Sequence, residues 1–155
     1  MIYLVVGEQG TGKTKYLVEE ANHEKEVGNA NIVFVDTDDS QVRILDHKIR
    51  LINAKSYKIR NTEALIGFIS GILARDYDIG KIYIDGIYDV VDINEENIKD
   101  LIERLNALSE YSKSDIYLGL DWKKEDVPQT GQAEIIELKF CLLYTSDAAD
   151  DSTEV

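Results

Sequence analysis

The chain is poor in cysteine, in long apolar runs and in positive charge, and each shortage excludes a class of protein. Its one cysteine, Cys141, excludes an intrachain disulfide framework and a zinc site built from several cysteines. No apolar run reaches the roughly 18 residues of a membrane-spanning helix, and the first residues lack the basic region and cleavage site of a signal peptide. We therefore expect a cytoplasmic protein.

Acidic residues outnumber basic ones, so the chain has a formal net charge of −13 at pH 7. A charge of this sign argues against a general surface for nucleic acid or for an anionic membrane, because both carry negative charge themselves. At 155 residues, with 44% hydrophobic side chains, the chain is long enough for one domain with its own core.

Residues 7–14 have the sequence GEQGTGKT and fit the pattern G-x-x-x-x-G-K-[ST], known as Walker A. The apolar run before them, residues 2–6, predicts a buried strand. After them, Leu17, Val18 and Ala21 recur at helical spacing. Strand, glycine-rich turn and helix form the setting that this phosphate-binding loop requires, so the pattern predicts a site for phosphate groups.

The residue types of this loop suit that chemistry. Glycines allow backbone conformations in which successive N–H groups point at phosphate oxygens, and the N-terminal N–H groups of the helix add to them. Lys13 is expected to contact the β- and γ-phosphates, and the Thr14 hydroxyl is expected to hold Mg²⁺. The predicted nucleotide-binding residues are Gly7, Gly10, Thr11, Gly12, Lys13 and Thr14.

Strands and helices alternate along the rest of the chain. Strands are predicted at residues 2–6, 32–36, 81–86, 115–121 and 133–139, with a short strand at 51–54. Two further helices are predicted, one capped by Asn61 or Thr62 and one capped by Asn94. Gly67 and Gly71 weaken the first of these by roughly 1 kcal/mol each and are expected to allow close packing on the sheet. The alternation predicts an open, mostly parallel sheet of about five strands with helices on both faces.

Several predicted strands end in an acid, and ligands of such sheets lie at the carboxyl ends of the strands. The run from Ile82 to Asp85 resembles a Walker B strand, which delivers a carboxylate beside the phosphate loop. Asp85 is therefore expected to hold Mg²⁺ together with Thr14. Asp36 and Asp121 end other predicted strands, and Asp38 lies on the loop after Asp36. Asp121 is expected to support the site indirectly or to cap a turn, because an acid there would repel phosphate.

Together these motifs resemble those of a P-loop NTPase over residues 1–139. The additional strands before Asp85 favour the RecA-like and AAA-type branch. The MinD/ParA-like branch carries a second lysine in the loop, where this chain has Glu8. The resemblance implies a three-layer α/β P-loop NTPase fold, a nucleotide-binding domain over residues 1–140, ATP and Mg²⁺ as cofactors, and Lys13 and Asp85 as catalytic residues.

The position after the Walker B acid decides which function the resemblance implies. In the RecA-like and AAA-type branch a catalytic glutamate often follows that acid, but this chain has Gly86. Either another acid substitutes, with Asp89, Asp92 and Glu95 nearest in sequence, or hydrolysis is slow or absent.

The sequence therefore predicts a Mg²⁺-dependent ATP-binding protein, an ATPase whose hydrolysis is weak or depends on a protein partner or a homo-oligomeric neighbour. ATP is favoured over GTP because no guanine-selecting N-K-x-D motif occurs. The alternative is a non-hydrolysing nucleotide-binding switch or docking module. A small-molecule kinase ranks third, because no long arginine-rich lid insertion is present.

Two segments depart from the rest of the chain in composition. Residues 43–60 carry six cations and one acid, and we interpret them as a solvated face. The alternatives are contact with a nucleic-acid backbone, with the nucleotide or with a neighbouring subunit's site. Residues 141–155 resemble a translated sequencing-library adapter, so we expect a non-native, disordered tail there and a natural sequence that ends near Lys139 or Phe140.

Overall fold

The computed structural model of the protein describes residues 1–41 and 43–139. The predicted tail at residues 141–155 lies outside the described residues, and its nature stays a prediction. Strands and helices alternate as the sequence predicts, except that in two places of the described ranges one strand follows another with no α-helix between them. In chain order they are β1 (Ile2–Val6), α1 (Lys13–Val27), β2 (Asn31–Asp36), β3 (Arg50–Asn53), α2 (Thr62–Arg75), β4 (Ile79–Ile84), α3 (Ile98–Ser112), β5 (Asp115–Leu120) and β6 (Ala133–Glu137).

The strands form one sheet in the order β3-β2-β4-β5-β1-β6, and every neighbouring pair is parallel. The predicted α/β class with a mostly parallel sheet is confirmed. The sheet has six strands in the described residues, because the short strand β3 pairs with β2 along four residues. Since β5 lies between β1 and β4, and all three strands are parallel, the segments that follow them meet at the carboxyl ends of the strands.

One face of the sheet is covered by α1 and is lined with aromatic side chains. Tyr3, Tyr117, Tyr83 and Phe34 lie at paired positions of four adjacent strands. Because side chains at paired positions point to the same face, their rings form a row, with neighbouring ring centroids 4.5 to 6.1 Å apart. Leu17 of α1 packs in the same cluster. This row places α1, and with it the loop that precedes α1, firmly on the sheet.

The opposite face is aliphatic and is covered by α2 and α3. Leu65 and Ile69 of α2 and Leu101 and Leu105 of α3 are fully buried in one cluster with the side chains of the strands. These positions recur at helical spacing, as the sequence predicts. At the start of α2 the side chain of Asn61 accepts a hydrogen bond from Ala64 N at 2.7 Å, which is the predicted cap. The three layers of the predicted fold are therefore present.

Two local predictions about these helices were wrong. The Asn94 side chain accepts from Asn97 N at 3.1 Å, but this bond closes the turn before α3, and the helix itself begins at Ile98. Gly67 and Gly71 do not pack closely on the sheet. Both are exposed, and a Cβ atom on either would meet nothing within 4 Å, because their positions lie on the outer side of α2.

Candidate functional site

The P-loop, defined here as residues 7–14, needs glycine for two different reasons. Gly10 and Gly12 have φ of 88° and 90°, in the left-handed region that side chains with a Cβ rarely adopt. At Gly7 the reason is space, because a Cβ there would lie 2.5 Å from Thr11 Oγ1 and 2.8 Å from the carbonyl oxygen of Leu138. Leu138 follows β6, so the last described strand supports the first turn of the P-loop.

The side chain of Thr11 stabilises the loop from within. Its hydroxyl donates to the carbonyl oxygen of Glu8 at 2.8 Å, and its backbone N–H donates to the same oxygen at 3.2 Å. The structure thus gives the Thr11 hydroxyl a role in shaping the loop. Its predicted contact with nucleotide stays a prediction.

Lys13 is the most deeply buried cation of the site, with 5% of the residue exposed. Its ammonium donates to the carbonyl oxygens of Gly7 at 2.7 Å and Glu8 at 3.2 Å. It also lies 3.7 Å from Asp121 Oδ1 and 5.9 Å from the centre of the Tyr88 ring. A buried cation requires such partners, because removal from water costs several kcal/mol unless polar groups compensate.

Thr14 and Asp85 are 71 residues apart in sequence, and the structure brings their side chains into contact. The Thr14 hydroxyl donates to Asp85 Oδ2 at 2.7 Å. Asp85 is 3% exposed, and this burial raises the pKa of its carboxyl, while the hydrogen bond from Thr14 acts in the opposite direction. A hydroxyl and a carboxylate are the hard oxygen donors that Mg²⁺ prefers, so the two side chains fit that ion.

A second buried acid lies beside Asp85. Asp36 ends β2, the neighbour of β4, and accepts a hydrogen bond from Thr37 N at 2.6 Å. Burial and the nearby charge of Asp85 raise the pKa of Asp36 to about 7. The sequence identified Asp36 only as an acid at the end of a strand; its proximity to Asp85 follows from the strand order.

Gly86 occupies a position where the surroundings restrict any side chain. Its φ is 67°, and a Cβ there would lie 3.3 Å from both Asp36 Oδ1 and Thr37 Oγ1. The carboxylate of Asp89 lies 3.8 Å from the same point. Of the acids nearest in sequence, Asp89 is thus brought to this cluster, whereas the side chain of Asp92 accepts a hydrogen bond from Asn94 at 3.1 Å.

A cavity of about 770 Å³ opens beside the P-loop and runs along α1. Its far end is formed by Asn22, Gln41 and Ile44, and Tyr88 lines it as well. Asn22 fixes this end, because its amide donates to Ile44 O and its carbonyl accepts from Asp46 N, both at 2.8 Å. Sequence reasoning missed these lining residues, since residues outside a motif give no signal until the fold brings them together.

The basic segment, residues 43–60, lies mostly around β3 at one edge of the sheet. Its six cations are all exposed, and none forms an ion pair with another described residue. This is the arrangement that we predicted for a solvated face. None of the six lines the cavity beside the P-loop.

Among the described residues, no helix has the length and apolar character to cross a membrane.

Comparisons with protein-family profiles and with curated proteins find no match. Among solved structures, the chain is similar to the crystal structure of flagellar accessory protein FlaH from Methanocaldococcus jannaschii, with a TM-score of 0.54 and 14% sequence identity. The likeness covers 83% of this chain and 63% of the FlaH chain, so this chain spans less than two thirds of that protein. A likeness at this identity concerns the fold. The chain therefore shares its fold with that structure, and in the described residues this is an α/β fold built on a wholly parallel sheet.

Proposed function

We propose that the protein binds ATP with Mg²⁺ in the cavity beside the P-loop. The observation that carries the proposal is the hydrogen bond between Thr14 and Asp85. The Thr14 hydroxyl and the Asp85 carboxylate are two hard oxygen donors, and they meet where the glycine-rich loop leads into the start of α1. A glycine-rich turn without a ligand has no need for a buried lysine or a buried acid, and both are costly to maintain.

The residues of the site have separate tasks in this proposal. Backbone N–H groups from Gly10 to Lys13 donate to phosphate oxygens, and the Lys13 ammonium neutralises part of the phosphate charge. Thr14 and Asp85 hold the metal, with Asp85 in its ionised form. Held by Thr14 and Asp85, a bound Mg²⁺ would supply positive charge that offsets the negative charge of phosphoryl transfer.

We propose further that the protein is an ATPase whose hydrolysis is weak or depends on a protein partner or a neighbouring copy. Gly86 supports a weak intrinsic rate, because it carries no carboxylate, and its φ of 67° and the 3.3 Å spacing from its Cβ position to Asp36 Oδ1 and Thr37 Oγ1 disfavour a larger side chain there. The second candidate, favoured by the same observation, is a nucleotide-binding module that does not hydrolyse and that signals or docks by its bound state.

Calorimetry and phosphate release on the full chain test both candidates. Mg²⁺ and ATP are titrated into the protein, the titration is repeated with EDTA as the matched control, and phosphate is followed over time. Saturable binding that requires Mg²⁺ is expected. Release above background would support the ATPase, and binding without release would support the non-hydrolysing module. Heat signals equal to those of buffer at millimolar ATP would contradict the proposal.

A further inference from the structure

The segment that follows β5 contacts the P-loop through two ion pairs. It contributes the acid to one pair and the base to the other. We define this segment, residues 121–126, as the β5 segment. Its Asp121 lies 3.7 Å from the Lys13 ammonium, and its Lys123 lies 3.6 Å from Glu8 Oε1 of the P-loop. Trp122 stands between the two charged residues in sequence and packs against the aliphatic cluster that α2 and α3 cover. An acid and a base of the P-loop are thus each paired with the opposite charge from one short segment.

The contacts of Lys13 define what a nucleotide would meet. An ammonium group has three N–H donors. In this structure Lys13 donates to Gly7 O at 2.7 Å and to Glu8 O at 3.2 Å, and the Asp121 carboxylate lies beside the ammonium at 3.7 Å, as an ion pair beyond hydrogen-bond distance. A phosphate that binds Lys13 would compete with Asp121 for the positive charge, because the Asp121 contact is the longest and the most exposed of the three. The negative charge of Asp121 would also repel the phosphates, because the two anions would lie a few ångströms apart.

We propose that Asp121 and a bound triphosphate compete for Lys13, so that the β5 segment shifts when nucleotide binds. This inference rests on the proposed nucleotide-binding function. As Lys13 turns to the phosphates, Asp121 loses its cation and is repelled from the site. Because Asp121 and Lys123 lie on the same short segment, the Lys123–Glu8 pair loosens with it. The β5 segment then differs between the two nucleotide states, and it lies at the surface where a protein partner can detect the difference.

Substitution of Asp121 tests the competition. Asp121→Asn removes the charge and keeps the shape, so calorimetry is expected to show Mg²⁺–ATP bound roughly tenfold more tightly than by the wild type. Asp126→Asn is the matched control, since Asp126 is an exposed acid of the same segment that has no ion pair with a described residue. Its affinity is expected to stay within about twofold of the wild type, because only the screened overall charge changes.

Trp122 reports the shift itself. It is the single tryptophan of the chain, so intrinsic fluorescence that is excited at wavelengths above 295 nm comes from the β5 segment alone. In the wild type its emission is expected to change with the same midpoint as calorimetric binding, and in Asp121→Asn the change is expected to shrink. Wild-type binding with constant Trp122 emission, or an Asp121→Asn affinity equal to or weaker than the wild type, would overturn the inference. Absence of wild-type binding would instead overturn the proposed function.

Discussion

The two ends of the parallel strands bury polar side chains of different kinds. At the carboxyl ends three of the buried polar groups are ionisable: Lys13, Asp36 and Asp85 are each at most 5% exposed, and the hydroxyl of Thr37 is buried with them. At the amino ends they are neutral hydroxyls, on Ser109 and Ser114. The two ends of the same sheet therefore differ in whether ionisable side chains are buried there.

The difference lies in what burial costs. Ser114 donates to Ile79 O at 2.7 Å and Ser109 donates to Met1 O at 3.0 Å, so each hydroxyl ties one strand to its surroundings. At the other end, burial raises the pKa values of Asp36 and Asp85, which means that ionisation there is unfavourable. The amino ends serve stability, whereas the carboxyl ends retain costly charges, as binding and catalytic sites do.

The largest effect is expected at the carboxyl end. Lys13→Ala should weaken triphosphate binding by roughly 1,000-fold, equivalent to about 4 kcal/mol, because the cation that meets the phosphates is removed. The far-ultraviolet circular dichroism should not change. Lys99→Ala, an exposed site on α3, is the control and should bind like the wild type. Unchanged calorimetric affinity in Lys13→Ala would contradict the entire site assignment.

The next effect concerns the pH dependence of stability. The Asp36 carboxyl has a pKa raised by burial from its ordinary value of 3.8 to about 7. The folded protein thus keeps a proton that the unfolded chain releases, and this contribution to stability is present below about pH 4 and is lost as the pH rises to about 7.

Asp36→Asn should therefore raise the free energy of unfolding by about 2–4 kcal/mol at pH 8, with the difference from the wild type disappearing near pH 4. The asparagine oxygen still accepts from Thr37 N. Urea unfolding in EDTA at several pH values measures the difference, and Asp39→Asn, an exposed neighbour, is the control. An equal difference at pH 4 and pH 8 would show that ionisation of Asp36 is not the cause.

A smaller effect is expected at the amino end. Ser114→Ala leaves Ile79 O without its buried donor and should lower the free energy of unfolding by about 1–3 kcal/mol. ATP affinity should stay within about twofold of the wild type, because Ser114 lies at the amino ends of the strands and the P-loop lies at their carboxyl ends. Urea unfolding and calorimetry on one preparation measure both quantities. A large loss of affinity with normal stability would break the distinction between the two ends.

The smallest effect belongs to neither end. Gly67→Ala and Gly71→Ala should each raise the free energy of unfolding by roughly 0.5–1 kcal/mol, because alanine is the better helix former and its methyl group meets open space. Nucleotide affinity should not change. A decrease in stability would contradict the open space that the structure gives to a methyl group at these positions.

Much of the fold was predictable because it depends on short-range patterns. The run of residues 2–6 and the spacing of Leu17 and Ala21 indicated a strand and a helix, and the structure has β1 and α1 there. The short strand β3 was predicted at residues 51–54 and lies at Arg50–Asn53, where its pairing with β2 sets its bounds. The position of Gly67 was misjudged, because the outer and inner sides of a helix can be told apart only once its neighbours are known.

The candidate site divides in the same way. The sequence by itself determined the P-loop, since its glycines, Lys13 and Thr14 are contiguous, and it determined that β4 ends in an acid. Only the tertiary structure decided that Asp85 contacts Thr14, that Asp36 lies beside Asp85, and that Asp121 pairs with Lys13. Those contacts join residues far apart in the chain, and they depend on the order of strands in the sheet. That order comes from how the apolar faces of all the elements are buried together, which no single segment encodes.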